Sequence, residues 1–330
     1  MPEIDEFGLI ARLFLPLTAG HPGALQLKDD AALLAGPGNS QWVVTTDAMV
    51  AGVHFFPDDP PDLIARKLLR VNLSDLASMG AEPCVAFLAA CFPKTSQLPW
   101  LDSFAAGMKS DCENFGLALL GGDTVATPGP LTLSLTALGQ LPAGEALLRS
   151  NARSGDDIWV SGTIGDAALG LLVFSSDRGL MEPHRSILLD RYRLPQPRLA
   201  LGQSLRGVAN AVMDISDGLI GDLAHICKAS SVGAIIEAAK IPLSASGSVA
   251  LAAGFGDGLA TILTGGDDYE LLFTAPPQAA ASLRAKADVL ELQLTRIGKI
   301  IEGSGVIVQG AQGQVLPIAN HSFRHFVGEG

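Results

Sequence analysis

The residues of this chain best suited to chemistry are aspartates, and they recur in one kind of place. Asp29 and Asp30 precede the apolar run AALLA, Asp47 follows WVVTT, and Asp75 sits in VNLSDLASMG. Asp123 follows LALLGG, Asp214 and Asp217 bracket DISDGL, and Asp267 and Asp268 follow LTGG. Any one of them could be a turn or helix-cap residue, because Asp favours both. As a set, at the ends of apolar segments, they could converge on one cleft at the carboxyl ends of strands. Two carboxylates ~4 Å apart repel by ~1 kcal/mol in water and ~4 kcal/mol at an effective dielectric of about 20, so such a cluster needs a counter-charge. Few Lys or Arg lie beside these positions in sequence. An all-oxygen donor set with no Cys or His at ligand spacing suits Mg²⁺ rather than Zn²⁺, and Mg²⁺ usually bridges carboxylates to substrate phosphates. A nucleotide ligand is the expectation. In LLGGDT, Gly121 and Gly122 would let backbone N–H groups approach a phosphate beside Asp123. No GxxxxGK[ST], no strand-borne GxGxxG with a partner acid, and no HRD or DFG sequence competes.

The elements that would position these residues alternate along the chain. Helical spacing marks Phe7 to Leu15, stopped by Pro16, then Leu63 to Met79 with Arg66, Lys67 and Arg70 exposed, and Trp100 to Phe115. Strand patterns mark Trp42 to Thr46, Val85 to Cys91, Leu117 to Leu120 (stopped by Gly121-Gly122) and Leu131 to Leu138. After QLPAGEALLRS the alternation resumes, with strands Ile158 to Ser161 and Ala211 to Ile215 leading into helices Ala167 to Phe174 and Leu219 to Lys228. The fold class expected is α/β with mixed α+β sheets in two domains, residues 1–140 and 149–330.

Composition narrows the function classes. Thirty-four acidic against 22 basic residues give a formal charge of −12, the wrong sign for binding a phosphate backbone by counterion release, so no nucleic-acid partner is expected. The longest uncharged stretch, Thr124 to Gly144, has the ~20 residues a membrane span needs, but Pro128, Pro130, Pro142 and its glycines break a helix there. No membrane association and no export signal are expected, since MPEIDEFGLIARLF lacks a basic region before an apolar run. Cys84, Cys91, Cys112 and Cys227 have no CxxC spacing, which suits buried thiols in the cytoplasm.

Nearly the whole chain resembles one family, the thiamine-monophosphate kinases of the aminoimidazole ribonucleotide synthetase superfamily. The segments that carry the resemblance are DDAALL, TTDAMVAGVHFF, VNLSDLASMGAEP, LLGGDT, LLRSNARSGDDIWVSGTIGDAALGL, PQPRLALG, MDISDGLIGDL, LTGGDDYELLF and SFRHF. The resemblance implies a two-domain synthetase-like fold whose first domain pairs with its copy in a homodimer. It implies ATP-dependent phosphorylation of thiamine monophosphate, with several Mg²⁺ ions held by Asp30, Asp47, Asp75, Asp123 and Asp214. Thr45 and Thr46 would add oxygen ligands and Asp217 would bind a further ion. Gly121, Gly122, Arg149 and Ser216 would contact ATP, while His54, Asp267 and Phe323 would face thiamine monophosphate. Asp47, Asp75 and Arg149 would carry the catalysis.

The chain departs from the family pattern in four places. Lys28 stands where a Gly usually precedes the Asp pair, and is expected to pair with Asp29 and leave Asp30 as the metal ligand. Ala51 and Asp267 stand where Glu is frequent, and Ser322 where Gly precedes the terminal aromatic. Two other readings stay open at this point: a related ATP-dependent synthetase that activates an amide oxygen, and a nucleotide-binding regulatory protein without turnover.

Overall fold

A computed structural model describes residues 6–176 and 179–318. Strands β1 (Ala32–Ala35), β2 (Ser40–Val50), β3 (Glu82–Pro93), β4 (Ala118–Thr127) and β5 (Thr132–Pro142) form a first sheet, in the order β1-β2-β5-β3-β4. Only β3 and β4 pair in parallel. The alternation of TLSLTAL decides how β5 sits at the centre: Leu133, Leu135 and Ala137 are buried, and Thr132, Ser134 and Thr136 point to the opposite face. Under the apolar face lie the helices Pro61–Ser78 and Leu98–Phe115. Pro61 begins the first helix with a fixed φ and no N–H to lose, and Asp62 adds an acid to its first turn.

A second sheet takes β6 (Asp157–Ser161), β7 (Ala211–Asp214), β8 (Gly233–Glu237), β9 (Leu271–Ala275), β10 (Leu294–Ile301) and β11 (Gly305–Gln309), in the order β11-β8-β10-β6-β9-β7. Here only β11 and β8 are parallel. Strands β6 and β9 are buried along their whole length because helices cover both faces. Ile158 and Leu272 pack toward the Leu219–Ser230 helix side. Trp159 and Phe273 pack toward Leu201 and Leu205 of the Leu199–Leu205 helix. That helix also meets the helix Pro61–Ser78 of the first half, and Gly202 sets how close they come: a Cβ there would lie 1.9 Å from the Ala77 carbonyl oxygen. The two halves are therefore packed backbone to backbone at this point.

Several sequence expectations change. Both sheets are mixed and mostly antiparallel, so the aspartates do not gather at the carboxyl ends of a parallel sheet. Asp47 lies inside β2, opposite Leu135, rather than at a strand end. Gly121 and Gly122 do not stop a strand; β4 runs through both, since a Cβ on Gly122 would stand 1.8 Å from the Leu88 oxygen and only glycine allows β3 to approach that closely. Lys67 and Arg70 are buried, not exposed, because Asp267 and Asp111 supply carboxylates to them. The segment Phe7 to Leu15 is helical but changes type along its length, through Glu6–Leu9, Ile10–Phe14 and Leu15–Thr18, and Pro16 lies inside the last stretch rather than stopping it. No helix among the described residues is long and apolar enough to cross a membrane.

Candidate active site

The helix Pro61–Ser78 crosses between the sheets and does most of the positioning. Lys67, Val71 and Asp75 are spaced by four, so they share the face that lines a cavity of about 970 Å³. On neighbouring faces each polar residue of VNLSDLAS has an assigned partner. Asn72 Oδ1 accepts the Asp47 N–H at 3.2 Å, Ser74 donates to Asp214 Oδ2 at 2.5 Å, and Ser78 donates to Asp30 Oδ2 at 2.8 Å. Thr45, from β2, donates to Asp75 Oδ2 at 2.5 Å. One helix thereby aims carboxylates that come from the loop before β1, from β2 and from the end of β7.

The result is an acidic cluster. Carboxylate oxygens of Asp30, Asp75 and Asp214 lie within 4.8 Å of one another. Burial, and then the Asp30 carboxylate, push Asp47 up from 3.8 to about 6 and Asp214 up to about 7. Asp75 is pushed well above the ordinary carboxylate range by burial and by Asp47, Asp214 and Asp30 together. Arg149 bonds Asp30 through Nε at 3.0 Å and through Nη2, which places a fixed cation at the edge of the cluster. One guanidinium cannot balance these acids. Hard, oxygen-only donors held in repulsion fit a small divalent cation such as Mg²⁺.

Other acids prove to be structural. Asp29 accepts the Arg149 N–H at 2.7 Å, and Asp268 accepts the Gly165 N–H at 2.7 Å. Lys28 does not pair with Asp29; its ammonium bonds Gln26 Oε1 instead, because Asp29 is already occupied by the backbone of residue 149. Asp222, which sequence reasoning gave no role, accepts three backbone N–H groups, from Ser216, Asp217 and Gly218, at 3.1, 3.2 and 3.1 Å. It therefore shapes the turn that brings Ser216 and Asp217 to the cavity wall. An acid in the first turn of the helix after ISDG was the signal available for it.

The opposite end of the cavity is polar and aromatic. His54 Nδ1 accepts the Val50 N–H at 3.0 Å, so the proton of the neutral ring sits on Nε2. Lys67, Tyr192, Asp267 and Tyr269 line the same end, and neither Lys67 nor the two tyrosines had been singled out from the sequence. Nothing in a lone Lys on a helix face marks it as buried; only the partner at position 267 does.

Thirteen of the expected site residues fall among the cavity linings or outside them as follows: Asp30, Thr45, Thr46, Asp47, His54, Asp75, Arg149, Asp214, Ser216, Asp217 and Asp267 line it, and Gly121 and Gly122 do not. Asp123 is also apart, exposed on β4, where its Oδ1 accepts the N–H of Thr124. Thr46 lines the wall, with its hydroxyl bonded to that of Thr136. Phe323 and Ser322 lie outside the described residues.

Two mixed sheets sharing one acid-walled cavity define a class, and both halves match it. The AIR synthase related protein N-terminal domain matches residues 28–141, and the C-terminal domain of the same family matches residues 153–311. The thiamine-monophosphate kinase of Caulobacter vibrioides is 44% identical over 91% of this chain and 85% of its own. The structure of AaThiL complexed with AMPPCP and TMP superposes with a TM-score of 0.85 at 29% identity, covering 98% of this chain and 97% of that one. The thiamine-monophosphate kinase structure from Stenotrophomonas maltophilia K279a has a TM-score of 0.77 at 40% identity, covering 92% and 98%. The chain belongs to the AIR synthase related family and, within it, to the thiamine-monophosphate kinases.

Proposed function

We propose that this protein transfers the γ-phosphoryl group of ATP to the phosphate of thiamine monophosphate, giving thiamine diphosphate and ADP. The observation that carries this reading is a single cavity with a repelling carboxylate cluster at one end and a polar, aromatic pocket at the other. The acceptor is a phosphate monoester with a second pKa near ~6, so it is already mostly a dianion at neutral pH and needs no general base. The chemical difficulty is the approach of two anions, and the protein's task is alignment and charge neutralisation.

Asp30, Asp47, Asp75 and Asp214 would hold Mg²⁺, with Thr45, Thr46, Asp123 and Asp217 as further oxygen donors. Bound Mg²⁺ would neutralise charge on the reacting phosphates. Arg149, anchored on Asp30, would face the phosphate chain of ATP, with Ser216 beside it. His54 would offer Nε2–H to the acceptor and Asp267 a carboxylate, with Phe323 as the residue that would pack on the ring system. Asp47 and Asp75 would carry catalysis through the charge they place between ions.

Gly121, Gly122 and Asp123 fit this scheme through a homodimer. Nine of the ten residues of β4 are exposed, Leu119, Leu120 and Val125 among them, on an edge strand uncovered on both faces. A second copy packed there would cover these side chains and place the glycines and Asp123 at an interface. Strand β5 lies at the centre of the same sheet, between β2 and β3, and has no free edge. The division into domains at about 140–149 and a cytoplasmic location belong to the same reading; the four cysteines, free and not paired with one another, agree with the latter. The test is ADP release measured with purified protein, ATP and Mg²⁺, with and without thiamine monophosphate. Release that does not depend on thiamine monophosphate would remove the proposal.

A further inference from the structure

Lys67 is almost fully buried, with 3% of its surface exposed, at the acceptor end of the cavity. Its ammonium donates to the His54 carbonyl oxygen at 2.9 Å and to Asp267 Oδ2 at 3.1 Å, and it stands 3.7 Å from the centre of the Tyr192 ring. Tyr192 Oη donates to the same His54 oxygen at 3.3 Å. An ammonium has three donors and no acceptor. Here a carbonyl, a carboxylate and an aromatic face account for them, so Lys67 has no donor left for a phosphate and no basic lone pair to offer. It must act through the groups it holds.

Those groups come from separate parts of the fold. His54 follows β2 in the first half, Tyr192 lies on the helix His184–Arg193, and Asp267 lies in the loop between the helix Leu259–Thr264 and β9. Asp267 has φ +68°, a left-handed conformation that a non-glycine residue adopts at some cost, and its N–H is tied to the Ser216 oxygen at 2.9 Å. Its side chain keeps 31% of its surface open. Lys67 takes Oδ2, which leaves Oδ1 for a ligand. We propose that Lys67 is a positioning residue that sets acceptor specificity by fixing Asp267 and the His54 turn around a flat cationic ring joined to a second, neutral heteroaromatic ring that bears an amino N–H donor. The proposal rests on the functional reading above. It assigns to Asp267 the amino-bearing ring, to Tyr192 the screening of the buried ammonium from the cationic ring's like charge, and to Lys67 the geometry of both.

The experiment is isothermal titration of the full-length protein with thiamine monophosphate in the presence of AMPPCP and Mg²⁺, and with AMPPCP alone, for wild type, Lys67→Met, Asp267→Asn and the double variant. Lys67→Met is expected to weaken thiamine monophosphate by about tenfold or more and AMPPCP by less than about threefold, with the double variant no weaker than Asp267→Asn within about threefold. Lys67→Gln, whose amide keeps two N–H donors without the charge, carries the same comparison should Lys67→Met not fold. Equal weakening of both ligands, or effects of the two substitutions that multiply in the double variant, overturns the assignment. Wild-type protein that does not bind thiamine monophosphate overturns the functional reading instead, so the two failures are distinct.

Discussion

Metal-free protein should become more stable as the solution is acidified below neutrality, the reverse of ordinary carboxylate behaviour. Asp47 and Asp214 are raised from 3.8 to about 6 and about 7 by burial and by Asp30, so the folded state binds protons more tightly than the unfolded one. For a raised carboxylate the stability contributed by the bound proton is fully present below the unfolded value and is lost as pH rises through the folded value. Each pKa unit corresponds to ~1.4 kcal/mol, so going from about pH 8 to about pH 5.5 should return roughly 2 kcal/mol at Asp214 and roughly 1 kcal/mol at Asp47. The two contributions are coupled, because both acids repel Asp30, and do not simply add. At ~2.1 cal/mol/K of unfolding entropy per residue, 330 residues give ~1.4 °C per kcal/mol, so Tm in EDTA should rise by about 3–4 °C over that interval. Mg²⁺ binds the ionised carboxylates, so its stabilising effect should be larger at about pH 8 than at about pH 5.5. Differential scanning fluorimetry in EDTA and in Mg²⁺ at both pH values checks this. A control follows from the same repulsion: Asp75→Asn should raise the metal-free Tm at about pH 8 and flatten its pH dependence. A metal-free Tm that is flat or falls on acidification, or a Mg²⁺ effect equal at both pH values, would show that the acids are not repelling one another as the geometry requires.

Asp47→Asn and Asp75→Asn should each reduce turnover by more than about a hundredfold while leaving far-UV circular dichroism unchanged, as expected when one of a few metal-binding charges is removed. Activity within about tenfold of wild type would take both out of the metal site. Lys28→Gly should leave the apparent Mg²⁺ affinity within about threefold of wild type, since Lys28 bonds Gln26 and not the acidic pair. A larger change in a Mg²⁺ titration would place the ammonium in the field of Asp30 after all. Sedimentation velocity at micromolar concentration should show a dimer, and Leu120→Lys on the exposed β4 should shift it toward a single chain; a wild-type monomer would contradict the pairing.

Much of this was legible in the sequence where local pattern and global role agreed. The alternation of TLSLTAL gave β5, the 3.6 period gave the helices Pro61–Ser78 and Leu98–Phe115, and the acidic turns pointed to a single cluster. What pattern could not supply was the partner. Asp29, Asp222 and Asp268 look like Asp30, Asp75 and Asp214 in sequence, yet the first three accept backbone N–H groups and the others bring their carboxylates within 4.8 Å of one another. That distinction depends on contacts between residues up to 120 positions apart, as for Asp29 and Arg149. Lys67 and Arg70 read as a solvated helix face for the same reason, because their carboxylates come from elsewhere in the chain. Gly121 and Gly122 read as a strand stop, although β4 runs through both and close backbone approach to β3 is what demands glycine at Gly122. The expectation of a parallel-sheet cleft failed because strand direction is a property of connections, which local periodicity does not carry.

A nucleophile that is a phosphate oxygen already ionised makes the enzyme selective for a phosphorylated acceptor. Thiamine monophosphate and unphosphorylated thiamine should be compared at saturating ATP and Mg²⁺, with products identified by chromatography. Thiamine carries a hydroxyl that would need a general base and would fall short of the carboxylate cluster. Thiamine monophosphate should give thiamine diphosphate and ADP in equal amounts, and thiamine should not be phosphorylated above background. Comparable kcat/KM for the two acceptors would contradict that selectivity.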